Sequence, residues 1–134
     1  GQCAEFCGLS HALMKMELVA ESPEDFEAWV EGQLAEAVVE DSVSFAEGTQ
    51  AFMRGGCIAC HAVRGTVAQG VIGPDLTHIG SRRRIAGGIL DNTPENMERW
   101  IRDSQGVKPG SLMIVPELDD ETVSLIVEYL QSLK

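Results

Sequence analysis

The chain has 134 residues, enough for one ordinary domain with a modest appendage. Its 21 acidic residues against 10 basic ones leave a formal charge of −11, which argues against nucleic acid as a partner and suits either the steering of a basic protein or simple solubility. No run of 18 or more apolar residues is present, so no segment in hand reads as a membrane span, and the opening "GQCAEFCG" reads as the interior of a longer polypeptide rather than as a leader.

In chain order, Ser22-Pro23-Glu24-Asp25 predicts a helix start: a capping hydroxyl, proline in the first turn, then acids. Phe26, Trp29, Val30, Leu34, Ala37 and Val38 recur at helical spacing and predict a helix over 23–39, with "EDS" as a polar joint after it. Ser44 and Glu47 form a capping box for a second helix, which Gly55-Gly56 stops after Arg54. Its inner face carries Gly48, Ala51 and Phe52. Residues 62–90 are glycine-rich and hold no lasting period, which in a compact domain signals function or wrapping around something. Thr93-Pro94-Glu95 opens a third helix with Met97, Trp100 and Ile101 on one stripe, ended by Gly106. After the loop "VKPGSLMIVP", Asp119 or Asp120 caps a last helix that buries Val123, Ile126, Val127, Leu130 and Leu133. Residues 43–134 thus predict an all-helical unit with two long loops.

"CIACH", residues 57–61, directly follows the second helix. A zinc site would need another ligand pair, and no cysteine follows Cys60 while the only later histidine is His78. A thioredoxin-like pair has no use for His61. The third reading is covalent haem, in which two thiols add across the haem vinyls and the adjacent imidazole binds the iron; the bare pattern also arises by chance, so context decides. Residues three apart on a helical turn share a face, so both sulfurs reach one porphyrin edge.

The order of these features resembles class I cytochrome c over about 90 residues. The resemblance makes Cys57 and Cys60 the thioether positions and His61 the proximal ligand of a covalent haem c. "GPDL" is similar to the family's Gly-Pro-x-Leu, which implies that the Pro74 carbonyl fixes the His61 tautomer and that Leu76 packs on the haem face. Gly48 and Phe52 resemble the positions where the first helix of that fold crosses the last, opposite Ile126 and Tyr129. Met113 in "KPGSLM" is the expected sixth ligand, although Ile114 and Val115 stand before Pro116 where the family often has proline directly after methionine. Met97 and Met53 are expected to be packing residues, and His78 a surface or propionate-side residue rather than a second axial imidazole. Trp100 and one of Arg82, Arg83 and Arg84, taken as Arg82, are candidates to hold a propionate, with the other two arginines as solvated charges.

The first fourteen residues carry a second pattern. "CAEFCGLSHALM" places Cys3, Cys7, His11 and Met14 in a soft ligand set suited to copper. The stretch resembles the ligand loop of cytochrome c oxidase subunit II, whose dinuclear copper A would be bridged by Cys3 and Cys7, with His11 and Met14 as terminal ligands and Glu5 giving its backbone carbonyl. That family takes one further histidine from an upstream strand, and nothing here precedes Gly1, so no intact copper centre is expected in this chain by itself and Cys3 and Cys7 are expected as a thiol or oxidised pair.

Two redox motifs in this order resemble the caa(3)-type haem-copper oxidases, in which a cytochrome c follows the copper domain of subunit II. That implies residues 1–22 as the end of the copper domain, 23–42 as a linker helix and 43–134 as the cytochrome. It also implies a soluble redox donor such as a cytochrome c, the copper A domain and oxidase subunit I as partners, and a place on the outer, periplasmic face of the membrane held by spans outside this sequence. A stand-alone carrier and a catalytic or gas-binding haem protein are the alternatives.

Overall fold

The computed structural model describes residues 1–38 and 43–134, without the Ser44 side chain, so the proposed capping box and the "EDS" joint lie outside the described residues. Its helices are α1 (Pro23–Leu34), α2 (Val43–Arg54), α3 (Pro94–Arg102), α4 (Ser104–Val107) and α5 (Asp120–Ser132). Two-residue strands β1 (Arg84–Ile85) and β2 (Leu90–Asp91) pair antiparallel, with Arg84 opposite Asp91. No helix is long and apolar enough to cross a membrane among the described residues.

The helix starts follow local chemistry. Ser22 Oγ accepts from the Asp25 amide at 3.1 Å and Pro23 occupies the first turn of α1. Thr93 caps α3 through the Asn96 amide, and Asp119 caps α5 through the Thr122 amide at 2.7 Å. Gly56, at φ +77°, takes the left-handed conformation that ends α2.

The core is built where α2 crosses α5. A Cβ on Gly48 would lie 2.6 Å from Tyr129 Cβ and 2.9 Å from the Leu125 carbonyl, so only glycine permits this approach. Tyr129 then sits between Phe45 and Phe52, with ring centroids 5.1 and 5.5 Å away. Ala51, Phe52, Val123, Ile126 and Leu133 are fully buried around this crossing, as the helical spacing predicts. Met97 and Ile101 add the buried face of α3, and the Gly80 amide donates to the Leu133 carbonyl at 2.7 Å to pin the middle loop onto the end of α5. The architecture is the expected all-helical, class I cytochrome c arrangement, with one small hairpin added.

Three elements differ from expectation. The first helix stops at Leu34 rather than at 39: Ala35 turns extended, at φ −64° and ψ 156°. The reason is a clasp from distant residues. Arg64 donates to the Leu34 carbonyl at 3.0 Å and to the Gln33 carbonyl, His78 Nε2 lies 3.1 Å from the Ala35 carbonyl, and the Ala37 amide donates to the Arg64 carbonyl. The apolar stripe of α1 lies open, with Phe26 and Trp29 both 54% exposed and Leu34 more so. The third helix breaks at Asp103, whose backbone leaves helical geometry and whose carboxylate accepts from the Gly106 amide to start α4. Strands β1 and β2 appear where no period was legible, joined by residues 86–89, of which Ala86, Gly87 and Gly88 have positive φ.

Gly48→Ala is expected to lower stability by about 1–3 kcal/mol, because two backbones would have to separate. Gly32→Ala, on an exposed helix position with nothing within 4 Å of its Cβ site, is expected to raise it by roughly 0.5–1 kcal/mol. Denaturant unfolding followed by circular dichroism checks both signs.

Candidate functional site

Past the Gly55-Gly56 turn, residues Cys57–Ala59 curl into a single 3₁₀ turn, and the Cys60 and His61 amides both donate to the Cys57 carbonyl, at 3.1 and 2.9 Å. Cys57 and Cys60 are free thiols and half-buried. The chain then loops back on itself. The Gly70 amide donates to the His61 carbonyl, and the Gly73 amide to the Cys60 carbonyl at 2.7 Å. A Cβ on Gly73 would stand 2.5 Å from His61 Cε1 and 2.7 Å from Nδ1, so the imidazole occupies the space that a side chain would fill. His61 Nδ1 lies 2.8 Å from the Pro74 carbonyl. A carbonyl can only accept, so Nδ1 carries the proton and Nε2 is the nitrogen presented to a metal.

These features discriminate among the chemistries of the motif. Burial, aided by Cys60 and opposed by a backbone hydrogen bond, pushes the Cys57 thiol up to about 11, the opposite of the acidic thiol of a disulfide-exchanging pair. Among the described residues the one cluster of three or more candidate His, Cys, Asp or Glu ligands is Cys3, Cys7 and His11, so Cys57 and Cys60 have no partners for a zinc site. An oriented, tautomer-fixed imidazole beside two free thiols fits a haem.

Behind Pro74, Asp75 ties the loop down. Its Oδ1 accepts from the amide and hydroxyl of Thr77, its Oδ2 lies 3.3 Å from Arg64 Nε, and Arg82 donates to its backbone carbonyl at 2.8 Å. Arg64 is also the residue that clasps the end of α1. Partial burial pushes the Asp75 carboxyl up, but the two hydrogen bonds from Thr77 and the charges of Arg64 and Arg82 outweigh it and hold its pKa below the ordinary carboxylate value.

Of the other predicted positions, Leu76 is buried next to this turn, with its amide on the Ala62 carbonyl. Met113 is half-buried in the loop before α5. Ser104 Oγ donates to its carbonyl at 2.7 Å and Ser111 Oγ accepts from its amide. Trp100 is half-buried against the core, and Met97 is core at 2% exposure. Met53 stays partly exposed. His78 is not a surface residue: it is buried, with its ring nitrogen on the Ala35 carbonyl. Arg83 and Arg84 are not simply solvated. Both pair with Glu17, at 3.0 and 2.9 Å, and Arg84 also with Asp91. Sequence reasoning passed over Arg64, Asp75, Thr77 and Ser104. The Asp-x-Thr spacing of Asp75 and Thr77 was a legible signal for a local side-chain turn, whereas the reach of Arg64 to α1 was not.

The first seventeen residues form an irregular hairpin. Gly1 and Met16 exchange hydrogen bonds, and the Cys3 amide donates to the Met14 carbonyl. This gathers the expected copper ligands. Cys3 Sγ lies 3.5 Å from Cys7 Sγ and 3.1 Å from the Glu5 carbonyl, and Cys7 Sγ lies 3.6 Å from His11 Nδ1 and 3.3 Å from Met14 Sδ. The Cys3 sulfur beside it holds the Cys7 thiol above its usual value, with a small addition from burial. Two thiols, an imidazole, a thioether and a carbonyl converging on one point fit a soft metal such as copper.

The Asp75 geometry sets a pH dependence. A carboxylate with a depressed folded-state pKa adds stability above its unfolded value, about 4, and loses it as pH falls through the folded value. The native chain is therefore expected to be more stable than Asp75→Asn at pH 7, with the gap closing below pH 4; denaturant titrations across that range read it.

Residues 45–134 match the family model for cytochrome c. The whole chain is also similar to proteins named cytochrome c oxidase subunit 2: 44% identical over 135 residues in Alkalihalophilus pseudofirmus, 40% over 141 residues in Bacillus sp. strain PS3, and 33% over 141 residues in Bacillus subtilis. All of this chain is covered in each case, but it spans only 39% of the length of each of those relatives. A cytochrome c domain holds haem and transfers electrons. With two thirds of its length inside the match, and with the helix crossing and motif order that the match requires, the chain belongs to the cytochrome c family.

Proposed function

We propose that this chain is the electron-transfer end of a caa(3)-type cytochrome c oxidase subunit II, taking electrons from a soluble redox donor such as a cytochrome c and delivering them to a copper A centre. The observation that carries the proposal is the seat of His61 between Gly73 and the Pro74 carbonyl, beside two free thiols. Cys57 and Cys60 would hold a haem c by thioether bonds, and His61 Nε2 and Met113 Sδ would bind its iron. Such a haem supplies a one-electron couple, raised in potential by its thioether ligand.

The chain's own groups do the rest. Pro74 holds the His61 tautomer and so the basicity of its ligand nitrogen. Asp75, Thr77 and Arg64 keep Pro74 in place. Ser104 and Ser111 hold the Met113 backbone, and so would keep its thioether available to a haem iron. Arg82, bonded to the Asp75 carbonyl, and Trp100 are the candidates for the propionates. Cys3, Cys7, His11, Met14 and the Glu5 carbonyl would serve copper in a longer subunit that adds the missing histidine. The identities of 33–44% to oxidase subunit 2 proteins along the whole chain support this joint reading over a free carrier. That longer subunit would work at the periplasmic or outer membrane face beside oxidase subunit I.

Met113→Ala tests the assignment. The variant is expected to bind carbon monoxide rapidly in its ferrous form and to have a lower reduction potential, while the native chain binds carbon monoxide slowly or not at all. An unchanged potential in the variant, or fast carbon monoxide binding by the native chain, would remove Met113 from the iron and favour a catalytic or gas-binding haem.

A further inference from the structure

The ligand hairpin is seated on the cytochrome at two places. At its tip, Ser10 Oγ donates to the Pro109 carbonyl at 2.7 Å, and Leu9 Cδ1 lies 3.4 Å from the Cβ site of Gly110, which has φ +83°. At its base, the Glu17 carboxylate pairs with Arg83 and Arg84, and the Lys15 carbonyl lies 3.2 Å from the Cβ site of Gly88. Arg84 also donates to the Gly88 carbonyl at 3.2 Å, which ties the salt bridge to the turn it rests on. These partners are far apart in sequence, 99 residues for Ser10 and Pro109, so the contact is tertiary. Ser10 is the covalent neighbour of His11, and Pro109 belongs to the loop that carries Met113.

We propose that this contact is the docking interface between the two redox centres, with Ser10 and Glu17 as positioning residues for electron handover. The inference rests on the function proposed above. One electron leaves the haem iron and is gained by the copper pair; no covalent bond breaks and no proton has to move. The path from His11 through Ser10 to Pro109 is covalent except for one hydrogen bond, and it enters the loop of the sixth ligand directly. The role of the Arg83-Arg84 pair follows. Glu17 brings a carboxylate to the cytochrome at the hairpin's base, and there it meets two cations. The Arg83 and Glu17 side chains are 66% and 46% exposed, so the latch is weak and screened by salt. Docking is therefore reversible, and ionic strength weakens it.

The test uses the longer subunit with both metals loaded, and haem-loaded residues 1–134 alongside. After flash reduction of the haem, Glu17→Arg is expected to slow haem reoxidation by copper roughly tenfold at low salt, with unchanged haem and copper spectra. The double charge swap Glu17→Arg with Arg84→Glu is expected to recover much of the rate. Ser10→Ala should slow the rate with little change in salt dependence. In the haem-loaded chain, which needs no copper, Glu17→Arg is expected to speed amide hydrogen exchange at Gly88 and Ser111. If haem and copper load normally while neither rate nor exchange responds to Glu17→Arg, the interface is overturned and the function stands. If copper fails to load in the longer subunit, the copper reading fails, and the exchange comparison still decides whether the hairpin docks.

Discussion

A metal-binding imidazole is best served when its other nitrogen is hydrogen-bonded and its ring plane is fixed. The structure meets that demand with backbone alone: the Pro74 carbonyl takes Nδ1 and the absent side chain of Gly73 makes room for the ring. Much of the rest can be traced from that turn. Gly70 and Gly73 allow the middle loop to fold back onto Cys60 and His61. Asp75 then fastens the loop to Thr77 and Arg64, and Gly80 fastens its far end to α5. A long, largely irregular segment is held by a few directed bonds placed on either side of His61.

The same bonds reach beyond the site. Arg64 touches Asp75 with one edge of its guanidinium and the carbonyls at the end of α1 with the other. A planar fork with several fixed donors is suited to such a junction in a way that a lysine is not. His78 adds a second contact to the same chain end. Helix α1 is therefore attached at its C-terminal end to the loop that carries His61.

What could be read in advance were features with short-range causes. Ser22, Thr93 and Asp119 cap the helices they precede, and the glycine at position 48 marks the crossing with Tyr129. The spacing of Val123, Ile126, Val127 and Leu130 describes the buried face of α5. The Cys57–His61 motif, with Pro74, drew the turn that the structure shows. What escaped had long-range causes. The end of α1 is decided by Arg64 and His78, about thirty and forty residues later. The break at Asp103 depends on a side chain bonding its own backbone, which competes with helix continuation and leaves no periodic trace. The fate of Arg83 and Arg84 depended on Glu17, brought to them only by the hairpin's seat.

The central claim is that Cys57 and Cys60 carry a haem covalently with His61 beneath it. Peptide mass mapping of the denatured, pigmented chain tests it most directly. The account predicts that the peptide containing residues 57–61 carries one haem and that neither Cys57 nor Cys60 reacts with a thiol reagent. Pigment released by acidified organic solvent, leaving both thiols free to react, would contradict it.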